Sequence, residues 1–233
     1  MAPHMAGVVQ EKGQDMVTIY GVYRSRATRP LWLLGEIGMD FAHVPVIQAY
    51  RLPDAAAADA PLHTASPAYL AINPQGQVPC MTDGDLTLTE SMAITLYLAA
   101  AYGGTLGPAT PAESGLMAQW GLHATSAIEV PAVEMMFAQR DAGDTAEGQA
   151  TIGVAAEKLR RPLARLEGHL EGRAFLVGAR FTVADINTAE CVRYAQGHAG
   201  LMAEFPRLSA WLDRVQARPA FAAMWVKRMA EPA

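Results

Sequence analysis

Residues 73–94 read NPQGQVPCMTDGDLTLTESMAI, and the local structure of this stretch decides the architecture. Asn73-Pro74-Gln75-Gly76 is a run of turn formers. Gln77-Val78-Pro79-Cys80-Met81 leads into a short strand, Asp83-Gly84-Asp85 makes a tight hairpin turn, and Leu86-Thr87-Leu88 is the returning strand. Thr89-Glu90-Ser91 then opens a helix that runs through Ile94, Leu96, Tyr97 and Leu98 to Tyr102, where Gly103-Gly104 stops it.

The same stretch carries chemistry. X-Pro bonds lose little in the cis form, so Val78-Pro79 is a candidate cis peptide, with an ordinary trans turn as the alternative. In the cis form the Val78 amide and carbonyl stay unpaired in the sheet and face a ligand's peptide backbone. Exposed amides and the positive end of a helix dipole favour an anion at Thr89-Glu90-Ser91. The Ser91 hydroxyl suits a carboxylate and Glu90 suits an ammonium, which together describe an amino-acid head group; a plain capped helix start is the other reading.

Upstream, Met16–Val22 (MVTIYGV) is β-branched and aromatic, which predicts a strand. Arg29–Glu36 has helical spacing, with Pro30 in its first turn, where a missing N–H is tolerated. Ser25 lies between the two, among Arg24, Arg26 and Arg29. A hydroxyl at such a helix start either caps the helix or donates to a thiolate and lowers its pKa. Phe41–Ile47 reads as a second strand, at a sheet edge because Pro45 cannot donate to a ladder. A long loop over residues 48–67, rich in Ala, Pro and Asp, follows it.

Beyond Pro111 every segment reads as helix: Ala112–Gln139, Gly148–Glu171, Val183–Gln196, Pro206–Ala217 and Pro219–Met229, with kinks expected at Pro131 and Pro162. Thr182 and Asp185 have capping-box spacing ahead of a buried helix. The domain reading is therefore a disordered extension at 1–15, a strand-and-helix domain at 16–102, a linker at 103–110 and an all-helical domain at 111–233.

Composition narrows the class. The 233 residues carry 18 Lys+Arg against 23 Asp+Glu, a formal net charge of −5 that speaks against nucleic acid. With 51% hydrophobic and 18% charged residues the chain has a core to bury, yet it shows no apolar run of membrane-spanning length. Its two cysteines, Cys80 and Cys191, are too few and too far apart for a disulfide framework, a metal cluster or a Cys-x-x-Cys redox pair. A cytoplasmic protein without a metal is the expectation.

These pieces, in their order and spacing from Met16 to about Met229, resemble the cytosolic glutathione S-transferases. The fragments that carry the resemblance are strand–Ser25–helix at Tyr20–Leu34, Asn73–Pro79, Leu88–Ile94 and Phe181–Ile186. It implies a thioredoxin-like amino-terminal domain, a helical carboxy-terminal domain, a homodimer and glutathione as co-substrate, with an apolar electrophile as the second substrate. The position of Ser25 and the Ser25-x-x-x-Arg29 spacing are similar to serine-type, phi- and theta-like members, which makes Ser25 the catalytic hydroxyl, with Tyr23 as the competing activator. The resemblance also assigns Val78-Pro79 to the cysteinyl backbone of glutathione, Glu90 and Ser91 to its γ-glutamyl end, and Gln77 to an assisting role. In the 48–67 loop, His63, Gln48 and Arg51 are alternatives for the glycyl carboxylate. Tyr23, Trp120, His123 and Met135 are the expected lining of the second-substrate pocket. Three activities fit such a site: conjugation of the thiolate to an electrophilic carbon, glutathione-dependent peroxidase or disulfide reductase chemistry, or ligand binding without catalysis.

Overall fold

A computed structural model of the chain describes residues 16–232; the extension expected over 1–15 lies outside the described residues. Four strands form one sheet: β1 (Thr18–Tyr20), β2 (Ala42–Val44), β3 (Cys80–Asp83) and β4 (Leu86–Thr89), in the order β2-β1-β3-β4. β1 pairs parallel with β2 and antiparallel with β3, and β3 pairs antiparallel with β4. β2 is an edge strand as expected, but it ends at Val44, one residue before Pro45. β3 likewise starts only after Pro79, because a residue without an N–H does not extend the ladder. The Val78-Pro79 peptide is cis.

Helix α1 (Thr28–Ile37) buries Leu31, Trp32, Leu33 and Leu34, and Gly38 closes it in the left-handed conformation with its N–H on the Leu34 carbonyl. The 48–67 loop holds a single 3₁₀ turn, Ala49–Arg51, and is tied down by a parallel bridge between Ile47 and His63 before the short α2 (Pro67–Leu70). α3 (Ser91–Tyr102) begins where β4 ends, and α1 packs against it.

The rest is helical: α4 (Pro111–His123), α5 (Val130–Ala142), α6 (Ala146–His169), α7 (Val183–Val192), α8 (Ala199–Ala203), α9 (Pro206–Gln216) and α10 (Pro219–Ala230). The expected kink at Pro131 takes the form of a π segment, Ala124–Glu129, joining α4 to α5. Pro131 offers no N–H to the carbonyl one turn back and its ring crowds that carbonyl, so the upstream turn widens. Thr125 and Ser126 bond the Gly121 and Leu122 carbonyls across this turn. Pro162, by contrast, sits inside α6, which runs through it without a break.

α7 is buried on every side, and Asp185 anchors its start. The Asp185 carboxylate accepts from the Thr182 N–H (3.0 Å), the Leu176 N–H (3.0 Å) and the Trp211 indole (3.0 Å). Burial nevertheless pushes this carboxyl up to about 6. α7 packs against α1, α3, α4, the π segment and α9, and α1 packs in turn on α10, where Trp32 meets Phe221 edge-on at 4.8 Å. Among the described residues no helix is long and apolar enough to cross a membrane.

Candidate active site

Two chain segments meet at the site: the loop from β1 to α1, and the run from the Asn73 turn to the start of α3. Gly21 makes the meeting possible. Its φ of 142° is closed to residues with a side chain, and a Cβ there would lie 3.0 Å from the Ala27 Cβ and 3.3 Å from the Val78 Cβ. The loop carrying Ser25 therefore lies directly against Val78-Pro79. Ser25 is buried, its Oγ accepting from the Ala27 N–H (3.0 Å) and donating to the Val22 carbonyl (2.6 Å). A hydroxyl has one proton, so donating to a thiolate requires Ser25 to turn away from Val22.

Beside it, Arg26, Gln75, Gln77, Val78, Pro79, Thr89, Glu90 and Ser91 line a cleft of about 120 Å³. That is well below the roughly 300 Å³ or more that encloses a drug-sized ligand, and it suits one end of an extended one. Glu90 has φ 64°, the only non-glycine residue among the described ones with a positive φ. Such a backbone costs on the order of 1–3 kcal/mol and is characteristic of ligand clamps. It turns the chain sharply at the cleft immediately before α3.

The polarity of Ser91 is set from behind. Arg29 Nη1 donates to Ser91 Oγ at 2.8 Å, which occupies an acceptor lone pair and leaves the hydroxyl proton for the cleft. Arg29, almost fully buried, also donates to Glu129 Oε1 (2.7 Å) and to the Cys191 sulfur (3.2 Å). Arg26 reaches the same Glu129 oxygen at 2.6 Å from its half-exposed position. Burial alone would raise the Glu129 carboxyl; Arg29 and Arg26 outweigh it and hold that group below the usual carboxylate range. Burial pushes the Cys191 thiol up to about 12 despite the adjacent Arg29, so it is a neutral packing partner and not a nucleophile.

Gln77, Val78, Pro79, Glu90 and Ser91, expected together from the sequence, do line one cleft. Asn73 Nδ2 and the Tyr69 hydroxyl both donate to the Gln77 carbonyl, which fixes the turn ahead of Val78. His63 does not line that cleft: it is buried in its loop, with Nδ1 accepting from the Ala65 N–H (3.2 Å). Arg51 bonds Gln48 and the carbonyls of Arg24 and Pro232. The Tyr23 ring is buried edge-on to His43 at 5.0 Å. Trp120 lies tilted against His169 and under Arg165, His123 contacts the Pro162 carbonyl and Arg165, and Met135 is fully buried, so all three make packing contacts within the helical half. Arg26, Gln75 and Thr89 line the cleft without having been singled out as ligand contacts, although Arg26 and Thr89 adjoin residues that were. Glu129 had no signal at all, since it lies about a hundred residues from its arginines.

Family models for the glutathione S-transferase N-terminal and C-terminal domains match residues 16–100 and 127–219. The chain belongs to the glutathione S-transferase family. Glutathione S-transferase 3 of Zea mays is 32% identical over 87% of this chain and 90% of that protein. The tobacco (Nicotiana tabacum) glutathione S-transferase PARB is 31% identical over 91% of this chain and 96% of its own. Among solved structures, glutathione S-transferase III in apo form superposes with a TM-score of 0.73 at 31% identity, covering 94% of this transferase and 99% of that chain. A theta-class glutathione S-transferase from Xanthomonas axonopodis pv. citri, solved with glutathione bound, gives 0.69 at 30% identity over 89% and 96%. The thioredoxin-like sheet followed by a helical half is thus the glutathione S-transferase fold.

Proposed function

We propose that this glutathione S-transferase conjugates glutathione to an apolar electrophile, with Ser25 activating the thiol. The γ-glutamyl carboxylate binds the Ser91 hydroxyl and the amides at the start of α3, and the ammonium binds Glu90. The cysteinyl backbone runs along Val78-Pro79 with Gln77 at its side, and the thiol reaches Ser25. The Ser25 hydroxyl stabilises the thiolate by a hydrogen bond, shifting a thiol whose ordinary pKa is about 8.5 toward neutrality. The thiolate attacks the electrophilic carbon: an S–C bond forms, the bond to the leaving group breaks, and the thiol proton passes to solvent. His63 serves the glycyl carboxylate only by leaving its buried place in the 48–67 loop, and the Tyr23 ring serves the electrophile only by leaving its contact with His43. The functional unit is a homodimer, for which exposed Leu122, Val130 and Phe137 supply apolar surface.

The observation that carries this reading is the contact Gly21 allows between the Ser25 loop and Val78, next to a cleft whose Ser91 proton is free for a carboxylate. The test is Ser25→Ala with an aryl halide as electrophile. Turnover at neutral pH should fall by about 100-fold or more while the KM for glutathione changes little, and the deficit should shrink as pH rises toward the unassisted thiol pKa. Conjugation that survives the substitution at neutral pH would remove Ser25 from the mechanism.

A further inference from the structure

The segment that follows α10 reaches back to the loop that carries Ser25. Glu231 Oε1 accepts the Tyr23 N–H at 2.8 Å, and Oε2 accepts the Arg24 N–H at 2.7 Å. Two consecutive amides thus share one carboxylate, and charge-assisted bonds of this length are the strong kind. The peptide groups between them are held from the other side as well. Arg228 Nη1 donates to the Tyr23 carbonyl at 2.6 Å, Arg24 Nε donates to the Glu231 carbonyl at 2.9 Å, and Arg51 bridges the Arg24 carbonyl (3.4 Å) and the Pro232 carbonyl (2.9 Å). The Ser25 hydroxyl bonds Val22 and Ala27, and its carbonyl accepts from the Thr28 hydroxyl at 3.2 Å. Ser25 is thus held on its far side by Thr28 at the start of α1 and on its near side by Tyr23 and Arg24, whose amides Glu231 fixes.

We infer that Glu231 is a positioning residue of this transferase: its carboxylate fixes the two amides ahead of Ser25 and so sets where the hydroxyl meets the glutathione thiol. This rests on the assignment of Ser25 as the activating group. Glu231 does not line the cleft at Ser91, so its influence falls on thiol activation and not on capture of the γ-glutamyl end. A carboxamide at 231 offers one acceptor oxygen where the carboxylate offers two, which predicts a graded series.

Four full-length proteins test this: the parent, Ser25→Ala, Glu231→Ala and Glu231→Gln. Each is measured for kcat and KM with an aryl halide, for the pH titration of the bound glutathione thiolate by its ultraviolet absorbance, and for amide exchange at Tyr23 and Arg24. Glu231→Ala is expected to lower kcat about tenfold, with the KM for glutathione held within about twofold. Its bound thiol should titrate at higher pH, and the Tyr23 and Arg24 amides should exchange faster. Glu231→Gln should fall between it and the parent in all three. If Ser25→Ala impairs kcat but both Glu231 variants keep the parent kcat and thiol titration, the inference is wrong and the Ser25 assignment stands. Should Ser25→Ala retain turnover, the assignment beneath the inference is the part that fails. If Glu231→Ala does not fold, Glu231→Gln decides alone: an unchanged titration and kcat overturn the inference, and an upward-shifted titration with reduced kcat supports it.

Discussion

The two halves of the site are built by opposite means. Apart from Arg26, the head-group cleft comes from one contiguous run, in which the Asn73 turn, the β3–β4 hairpin and the first residue of α3 follow within about twenty positions. The Ser25 loop carries its own short hydrogen bonds but takes its place from afar: it depends on a glycine with φ 142°, on Val78 from another strand connection, and on Glu231, Arg228 and Arg51 from remote parts of the chain. A binding cleft made of neighbours in sequence tolerates remote change, whereas a reactive hydroxyl held from a distance transmits it. Substitutions at the two halves should accordingly separate binding from turnover.

The largest effect is expected where the remote design has no slack. Gly21→Val puts a branched side chain at a left-handed φ and within contact distance of Ala27 and Val78, so kcat should drop by at least about 100-fold as the Ser25 loop is displaced. Steady-state kinetics with glutathione and an aryl halide check it; a Gly21→Val enzyme with normal kcat would show that the close approach is dispensable.

Glu129→Gln attacks the strut that joins the halves. It leaves two arginines around a neutral amide, one of them buried, and should cost about 3 kcal/mol of stability, read by denaturant unfolding. The sign with pH follows from the depressed carboxyl. A carboxyl whose folded pKa lies below its unfolded value stabilises above the unfolded value and loses that contribution as pH falls through the folded one. The parent should therefore lose stability toward acid more steeply than Glu129→Gln, and parallel acid limbs would contradict the ion-pair account.

Ser91→Ala sharpens the comparison from the other side. Removing one hydrogen bond to a charged ligand group should raise the KM for glutathione about tenfold, leaving kcat at saturating glutathione within about twofold. A variant that instead lost kcat at unchanged KM would place Ser91 in the chemistry. The smallest change is expected for Asn73→Ala, which removes one donor to the Gln77 carbonyl while the Tyr69 hydroxyl remains, for about 1 kcal/mol in thermal or denaturant unfolding.

The same local–remote contrast explains what was legible in the sequence. The hairpin, the start of α3 at Ser91 and the Thr182–Asp185 cap were readable, because each is enforced by residues within a few positions of one another, whereas the Val78-Pro79 residues alone left cis and trans open. Prolines shifted the edges: β2 stops before Pro45, and Pro131 yields a π turn instead of a simple bend. The short α8 gave no periodic signal over five residues. Arg26 was visible as a charge next to Ser25 but not as a cleft wall, since its direction depends on Glu129 in the other half. Tertiary partners such as Glu129 and Glu231 leave no mark on the spacing of the residues they hold.

Because α7 is enclosed by α1 and α3 on one side and by α4, the π segment and α9 on the other, neither half can open without exposing it. Melting of the sheet half and of the helical half should be a single cooperative event, and the slowest-exchanging amides of α1 and α7 should report one common opening free energy.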